Sequence, residues 1–210
     1  MKVAIMQPYF FPYLGYFKLI NAVDKFVIYD DVEFTKKGWM NRNRLLYSSR
    51  ITNFTVPIKK SSDYLIIKKK FISNDENGMR LILKNLRLIE INYKSSKHFD
   101  KIFPIINNCF KYKSINLFDY LHNSLITIVK YLEINTKIII SSDLDINKEL
   151  KSEDKVISIC KKLNATTYIN SIGGINIYSS NRFKNEGINL KFLQSKNFVY
   201  DQKIKKFYEN

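Results

Sequence analysis

Two short apolar runs near the amino terminus constrain the fold more than any other feature of the sequence. Lys2–Met6 and Lys25–Tyr29 each have the length and the apolar content of a buried strand. The segment between them is long enough for a crossover connection, and Tyr13–Val23 can form a short helix within it. The sequence therefore predicts a parallel pair of strands joined by a helix.

The last third of the chain repeats this alternation of strands and helices. Thr136–Ile140, Thr166–Ile169 and Ile188–Leu193 are expected to be strands, and the segments between them have helical patterns. We expect residues 3–6, 26–29, 137–140 and 166–169 to be parallel neighbours or near-neighbours in one sheet. The predicted fold class is a three-layer, Rossmann-like α/β domain with a mainly parallel sheet.

The middle of the chain has a different pattern. Residues 51–58 and 64–71 are expected to be strands, and roughly residues 74–132 have the pattern of a helical insert between two α/β halves. Because the chain has few glycines and prolines and no linker-like stretch, we expect residues 1–210 to form a single domain. Residues 198–210 are expected to be a tail that frays or docks.

Composition narrows the possible partners. The formal net charge of +16 suits nucleic acid, an anionic membrane surface or anionic small substrates. The excess of lysine, isoleucine and asparagine suggests AT-rich coding, and the positive charge is spread along the chain, so we do not expect nucleic acid as a partner.

No apolar run is long enough for a membrane span, and the amino terminus does not resemble a signal peptide. These two features predict a cytoplasmic protein.

Cysteine and histidine give no sign of a metal site. Cys109 and Cys160 are far apart in helical patterns and are expected to be buried free thiols. His98 and His122 are isolated and are expected to be a solvated and a structural residue. We therefore predict no metal site, and the sequence leaves the cofactor and the oligomeric state unknown.

Polar residues follow the predicted parallel strands at their carboxyl ends, where open α/β sheets bind ligands. Gln7 follows the first strand and the Asp30-Asp31 pair follows the second. Ser141 and Ser142 follow a later strand, and the Gly173-Gly174 pair follows the next one along the chain. The serines and the glycine pair are predicted to bind a diphosphate, although an ordinary strand-to-helix turn is the alternative. The motifs of dinucleotide cofactors and P-loops are absent.

The chain around the second strand is also dense in chemically specific residues. The alternative interpretation, that its aromatic residues are core and its aspartates form a turn, does not explain why so many polar side chains accompany them. The residues that we predict to contact substrate in and near this segment are Tyr9, Tyr16, Lys36, Trp39, Asn41, Arg42 and Asn43.

The opening MQPYFFPYLGYFKLI and the following DKFVIYDDVEFTKKGWMNRNR resemble the start of the WbqC-like family of bacterial proteins. SSDL, TTYINSIGG with the following Tyr178, and FKNEGINLKFL are similar to that family in the same order. The resemblance implies a role among the enzymes that build surface polysaccharides such as O-antigen. It also implies transfer of an acyl or aminoacyl group, such as a glycyl unit, to the amino group of a nucleotide-linked sugar.

That chemistry gives the predicted residues their roles. A carboxylate of the Asp30-Asp31 pair, with Asp31 favoured, would accept a proton from the sugar amine. Lys36 and Arg42 would stabilise the oxyanion or bind phosphate. Trp39, Tyr9 and Tyr16 offer stacking surfaces. The predicted partners are a nucleotide-linked amino sugar and an activated acyl donor.

Two other functions are compatible with the sequence. A non-catalytic module that binds a sugar nucleotide would keep the aromatic residues without needing the aspartates. A nucleotidyltransferase-like enzyme is suggested by the helix with Pro12, Gly15 and Tyr16, but both histidines of the H-x-G-H enzymes are lacking.

Overall fold

The structure is a computed structural model, and it describes residues 1–48, 50–195 and 200. Apart from residue 200, the tail expected at 198–210 lies outside the described residues. The strands are β1 (Lys2–Met6), β2 (Lys25–Ile28), β3 (Arg42–Tyr47), β4 (Arg50–Thr55), β5 (Lys137–Ile140), β6 (Thr167–Ser171) and β7 (Asn189–Leu193). The α-helices are α1 (Leu14–Asn21), α2 (Glu76–Tyr93), α3 (Phe99–Phe110), α4 (Leu117–Tyr131), α5 (Ser152–Lys162) and α6 (Ser180–Asn185).

The chain divides into two compact units. The first consists of Met1–Gln7, Tyr13–Tyr29 and Ile134–Asn210, and the second of Pro8–Pro12 and Asp30–Glu133. The predicted helical insert corresponds to α2, α3 and α4 in the second unit. The expectation of a single domain over residues 1–210 stays a prediction.

The first unit is built on a five-stranded parallel sheet with the strand order β5-β2-β1-β6-β7. The register of β1 on β2 pairs Met6 with Ile28, and Ile28 in turn pairs with Ile140 of β5. The predicted parallel neighbours are therefore confirmed. Since the three strands end level with one another, the residues that follow them leave the sheet at the same edge.

Alternate residues of β1 and β2 pack against helices on the two faces of this sheet. Val3, Ile5 and Val27 belong to a core cluster with the apolar side chains of α5 and with Phe183 of α6. On the other face, the Phe26 ring lies 5.3 Å from the ring of Tyr16 in α1. Burial on both faces explains why these strands are continuous apolar runs, and it gives the predicted three-layer arrangement.

The second unit combines an antiparallel hairpin with three helices. β3 pairs with β4 along its whole length, from Arg42 opposite Thr55 to Tyr47 opposite Arg50. The Asn85 side chain of α2 donates a hydrogen bond to the Thr55 carbonyl at 2.8 Å. The completely buried Phe10 ring lies 5.0 Å from Phe110 at the end of α3. These contacts tie the hairpin, the helices and the 8–12 segment together.

The strand predicted at residues 64–71 is wrong. Ile67–Lys69 form one turn of 3-10 helix, and the flanking residues make only single bridges, Glu33 to Ile66 and Phe71 to Asn116. The turn is closed by the backbone, because the Lys69 and Lys70 N–H groups donate to the carbonyls of Ile66 and Ile67. These N–H groups cannot then pair with a neighbouring strand. The Lys70 side chain is buried and donates to the Ser62 carbonyl at 2.6 Å.

Candidate functional site

The strand order of the first unit identifies the point where ligands bind to open α/β sheets. From β1 the chain passes to β2 on one side, whereas β6 and β7 lie on the other side. The connections therefore change direction between β1 and β6, and the crevice outside their carboxyl ends is a topological switch point. Gln7 follows β1, and Asn170 and Ser171 end β6. The prediction that Gln7 lies at the carboxyl edge of the parallel sheet is confirmed.

The end of β6 is shaped by the close approach of a glycine to a buried amide. Asn170 is only 5% exposed, and its Oδ1 accepts the backbone N–H of Ser171 at 2.7 Å. A Cβ atom on Gly174 would lie 2.6 Å from Asn170 Nδ2, whereas one on Gly173 would meet nothing nearer than 3.9 Å. Gly174 is therefore required by packing, and Gly173 is the glycine whose backbone is open to a ligand.

Several backbone N–H groups near this turn already donate hydrogen bonds to other groups of the protein. The Ile175 and Ile177 N–H groups donate to the carbonyls of Ile172 and Gly174. At the start of α6, the Ser179 N–H donates to Glu153 Oε1 at 2.7 Å. Diphosphate binding here stays a prediction, and it depends on Gly173 and on side chains rather than on the start of α6.

Tyr178 lies beside this turn, and its ring packs against other aromatic side chains. Its ring is half-buried, 5.6 Å from Tyr168 and 5.9 Å from Phe183. Burial raises the pKa of the Tyr178 phenol above its usual value. The side chain stays neutral at physiological pH and can offer a hydroxyl as a hydrogen-bond donor.

The carboxyl ends of β2 and β5 carry Tyr29, Ser141 and Ser142. Ser141 is completely buried and Ser142 is half-buried, and both lie in the 3-10 turn Ser141–Asp143. The Ser141 carbonyl accepts the Leu144 N–H at 3.1 Å. Ser142 is therefore the more accessible of the two predicted serines.

The structure adds a residue that sequence reasoning missed. Lys155 in the first turn of α5 is only 5% exposed, and its ammonium lies 5.3 Å from the centre of the Tyr29 ring. Lysine is rarely buried, so a buried lysine near the carboxyl edge of the sheet is a candidate site residue. Nothing in the sequence separates Lys155 from the other lysines of this helix, so burial alone reveals it.

In the second unit, Asp30 and Asp31 differ in their surroundings. The Asp30 carboxylate is completely buried, and its Oδ2 lies 3.5 Å from the Lys68 ammonium. The Asp30 carbonyl also accepts the Lys68 N–H at 2.9 Å. Asp31 is half-buried. Asp31 is therefore the more accessible of the two carboxylates, and its role in proton transfer stays a prediction.

Trp39 lies against two arginines of one strand. Arg42 and Arg44 are both on β3, and their guanidinium carbons lie 5.4 Å and 5.6 Å from the centre of the Trp39 ring. Arg42 Nε donates to the Gly38 carbonyl at 2.8 Å, and its Nη2 donates to the Lys37 carbonyl. We call these three residues the Trp39 cluster. The Trp39 cluster combines a half-exposed aromatic ring with two guanidinium cations, and this combination can bind a planar anion.

The other predicted residues near this segment are mainly structural. Asn41 is buried, and its amide donates to the Val56 carbonyl at 2.8 Å. The Asn43 amide donates to the Phe11 carbonyl and, at 3.3 Å, to the Phe10 carbonyl, which fixes the 8–12 segment. Lys36 is exposed and pairs with Asp63 at 3.0 Å.

The two predicted stacking tyrosines lie in different surroundings. Tyr9 is half-buried in the second unit. Tyr16 is in the first unit, is 1% exposed, and donates its hydroxyl proton to the Gln7 carbonyl at 2.9 Å. A ring with no exposed face cannot stack on a ligand, so Tyr16 acts by holding the backbone of Gln7.

Three of the residues excluded from the predicted site, Cys109, Cys160 and His122, are packing groups, whereas His98 is exposed as expected. Cys109 and Cys160 are free and buried, and burial raises the thiol pKa to about 11 and about 12, respectively. Burial lowers the pKa of His122 below its ordinary value. Within the described ranges, no three His, Cys, Asp or Glu side chains are gathered closely enough to hold a metal ion.

None of the helices among the described residues combines the length and apolar content needed to cross a bilayer.

The comparisons with known proteins agree with the sequence motifs. The model of the WbqC-like protein family matches residues 7–210. A protein of Mycobacterium tuberculosis (strain ATCC 25618 / H37Rv), described as "Uncharacterized protein Rv1507c", is 32% identical over 170 residues, which cover 80% of this chain and 71% of that protein. No solved structure matches the chain. The match of the family model over nearly all of the sequence shows that the chain belongs to the WbqC-like protein family.

Proposed function

We propose that the protein is an acyl- or aminoacyltransferase that forms an amide on the amino group of a nucleotide-linked sugar. The family resemblance suggests a cytoplasmic step in the synthesis of a surface polysaccharide such as O-antigen. The observation that carries the proposal is the set of polar side chains at the switch point between β1 and β6, because that edge of a parallel sheet binds ligands.

The first unit offers groups that suit a sugar nucleotide. The side chain of Gln7 can donate and accept hydrogen bonds to sugar hydroxyls, and the open backbone at Gly173 admits a close approach. Lys155 contributes a buried positive charge at the same edge. A small number of polar groups with one charged residue is typical of a site for a small molecule.

The second unit offers groups that suit the transfer step. In that step the amine nitrogen attacks the acyl carbonyl, a C–N bond forms, and the bond from the carbonyl carbon to the donor's leaving group breaks. Asp31 accepts the proton that the attacking amine loses, and Arg42 stabilises the oxyanion. Asp30 is held by Lys68 and positions its neighbour.

A second candidate is a module that binds a sugar nucleotide without transferring a group. The Trp39 cluster favours it, because an aromatic ring with two guanidinium groups binds a base or phosphate without any carboxylate. The two candidates differ in whether Asp31 is needed.

The first experiment is Asp31→Asn, which is nearly isosteric and removes the proton acceptor. Sugar-nucleotide binding, followed by thermal shift, should be kept, because bound ligand stabilises the native state by mass action. Turnover should fall about 10²–10⁴-fold, the usual loss of a general base. Asp145→Asn is the matched control, because Asp145 has a 99% exposed side chain.

An Asp31→Asn variant that keeps the wild-type rate would remove Asp31 from catalysis. If the wild-type protein binds the sugar nucleotide but transfers no acyl or aminoacyl group to it, the protein is a binding module.

A further inference from the structure

Three neighbouring strands of the first unit carry hydrogen-bonding side chains in one row at the carboxyl edge of the sheet. β1, β2 and β5 end level with one another, and the residue that follows each strand is a member of the row. We call these residues the edge row, which consists of Gln7, Tyr29 and Ser141. The Tyr29 N–H donates to the Met6 carbonyl at 2.9 Å, so the parallel pairing of β1 with β2 continues as far as the row.

The edge row lies on the side of the sheet that α5 covers. Two residues before the row, each strand places an apolar side chain against the core cluster that includes α5, namely Ile5, Val27 and Ile139. Side chains of an extended chain alternate between the two faces, so residues two positions apart share a face. Tyr29 itself also packs against that cluster. Gln7 precedes Pro8, and Ser141 follows a residue with extended backbone, so both continue the alternation.

Lys155 of α5 lies at the middle of the edge row. A helix that follows a parallel strand runs back along the sheet, so the first turn of α5 is at the carboxyl edge. Lys155 is one turn before Ile159, which is buried in the core cluster, so both side chains face the sheet. The Lys155 ammonium lies 5.3 Å from the centre of the Tyr29 ring, and β2 is the central strand of the three. An amide, a phenol and a positive charge are therefore gathered at one place.

The acidic side chains at the start of α5 are engaged with α6. Glu153 Oε1 accepts the Ser179 N–H at 2.7 Å, and Glu153 Oε2 lies 3.6 Å from Arg182 Nε. The Asp154 carboxylate pairs with the same arginine. Both carboxylates are therefore directed towards α6, and Arg182 compensates their charge there.

We propose that the phosphate groups of the sugar nucleotide bind on the α5 side of the carboxyl edge, with hydrogen bonds from Lys155, Gln7 and Tyr29. Lysine binds phosphate as a point charge, and the amide and phenol each have a proton to donate to a phosphate oxygen. Gln7 and Tyr29 are half-buried, so a ligand can reach the edge row, whereas Lys155 is recessed and Ser141 is completely buried behind them. A recessed ammonium attracts an anion more strongly than one in water does.

The identity of the ligand rests on the proposed function, whereas the phosphate contact can be measured without any acyl donor. Isothermal titration calorimetry with inorganic diphosphate, UDP, dTDP and GDP provides the measurement. Lys155→Met removes the charge and keeps an unbranched side chain. It should weaken the binding of inorganic diphosphate and of the tightest nucleotide about 10- to 100-fold, the loss expected when a charged hydrogen-bond partner is removed.

Lys137→Met is the matched control, because Lys137 is exposed and begins β5 at the opposite edge of the same sheet. It makes the same change in net charge and should leave every affinity unchanged. Equal affinities of wild type and Lys155→Met would overturn the proposal, and so would a wild-type protein that binds none of the four probes. Equal losses in both lysine variants would also overturn it, because they would indicate general attraction by the net charge of +16.

Gln7→Glu is a second variant that decides the question if Lys155→Met does not fold. It is nearly isosteric and places a negative charge in the edge row, so it should weaken the binding of inorganic diphosphate at least tenfold by repulsion. Asn189→Asp makes the same chemical change at an exposed residue that begins β7 at the opposite edge, and it should have no effect. A folded Gln7→Glu variant with the wild-type affinity would contradict the proposal.

The transfer assay separates this inference from the proposed function. Loss of diphosphate binding in Lys155→Met, together with no acyl transfer by the wild type from any donor, would support the phosphate site and contradict the transferase. Transfer by Lys155→Met with the wild-type KM for the sugar nucleotide would overturn the phosphate site and leave the transferase intact.

Discussion

At the scale of single residues, Trp39 is the side chain in the second unit whose chemistry most directly suggests a ligand. It is 46% exposed, although an indole of this size is usually largely buried in a core. Arg42 and Arg44 hold it from the same strand. An exposed ring that its neighbours fix in place loses little freedom when a base stacks on it.

Trp39→Ala should therefore weaken nucleotide-sugar binding and leave folding nearly unchanged. Stacking on an aromatic residue contributes about 1–3 kcal/mol per base, so the affinity should fall about 5- to 150-fold. Tyr64→Ala is the control, because Tyr64 is 80% exposed and lies away from these arginines in sequence. If Trp39→Ala mainly lowers the melting temperature, the residue is structural.

The two buried thiols predict how stability depends on alkaline pH. Burial raises the Cys160 pKa from 9.0 to about 12, so the native state keeps a proton that the unfolded chain releases. This contribution to stability is fully present below pH 9 and is lost as the pH rises toward the native pKa. The maximal slope for one group is about 1.4 kcal/mol per pH unit.

Cys160→Ala should therefore change the pH profile of the free energy of unfolding, measured with urea between pH 7 and 10.5. Below pH 9 the difference between wild type and variant should be constant. Above pH 9 wild type should lose stability faster than the variant. A constant difference up to pH 10.5 would show that the thiol is not protected by burial.

At the scale of elements, the first turn of α2 contains a glycine, Gly78, that an argument from helix propensity alone would replace. Asp75 Oδ1 accepts the Gly78 N–H at 2.7 Å, as expected for the residue before a helix. A Cβ on Gly78 would lie 2.2 Å from the Ser73 carbonyl oxygen, which is backbone and cannot move aside. The same turn that caps the helix therefore excludes a side chain.

Gly78→Ala should lower the free energy of unfolding by about 1–3 kcal/mol, the usual cost of overpacking, although alanine favours helices. Gly173→Ala should be nearly neutral for stability, because its nearest neighbour would be Ser171 Oγ at 3.9 Å. Urea denaturation of both variants provides the comparison. Equal stability of Gly78→Ala and wild type would contradict the described start of α2.

The elements that could be predicted from the sequence are those with a local signal. The parallel strands are apolar runs, which can be recognised without knowing what they pair with. The side chains of Asp75 and Asn116 cap α2 and α4, and these polar residue types are common at helix starts. β3 was missed, because Arg42–Tyr47 is rich in arginine and asparagine and becomes a strand only by pairing with β4. Its polar side chains serve tertiary contacts that no local pattern reveals.

At the scale of the whole molecule, the carboxyl edge of the parallel sheet was predictable from the sequence, whereas the surroundings of the residues near it were not. Crossover connections predict parallel pairing, and parallel strands have their carboxyl ends at one edge of the sheet. That edge could therefore be predicted from where the apolar runs end. The burial of single polar residues could not be predicted in the same way, so Lys155 was missed and the complete burial of Asp30 was not foreseen. Burial depends on which elements cover a residue, and that is a property of the folded chain.

The net charge of +16 is also a property of the whole molecule. Such a charge raises the local concentration of anionic molecules without choosing among them, so it suits a nucleotide sugar and many acyl donors equally. Identifying the reaction therefore requires the product rather than an affinity.

The most direct measurement is the mass of the product. Purified protein is incubated with nucleotide-linked amino sugars, each with a panel of activated acyl and aminoacyl donors, and the sugar nucleotide is analysed by mass spectrometry. We predict a mass increase equal to one acyl or aminoacyl group on the amino sugar, and no increase on the matching sugar that has a hydroxyl in place of the amine. Tight binding of the amino sugar with no mass increase from any donor would contradict the account.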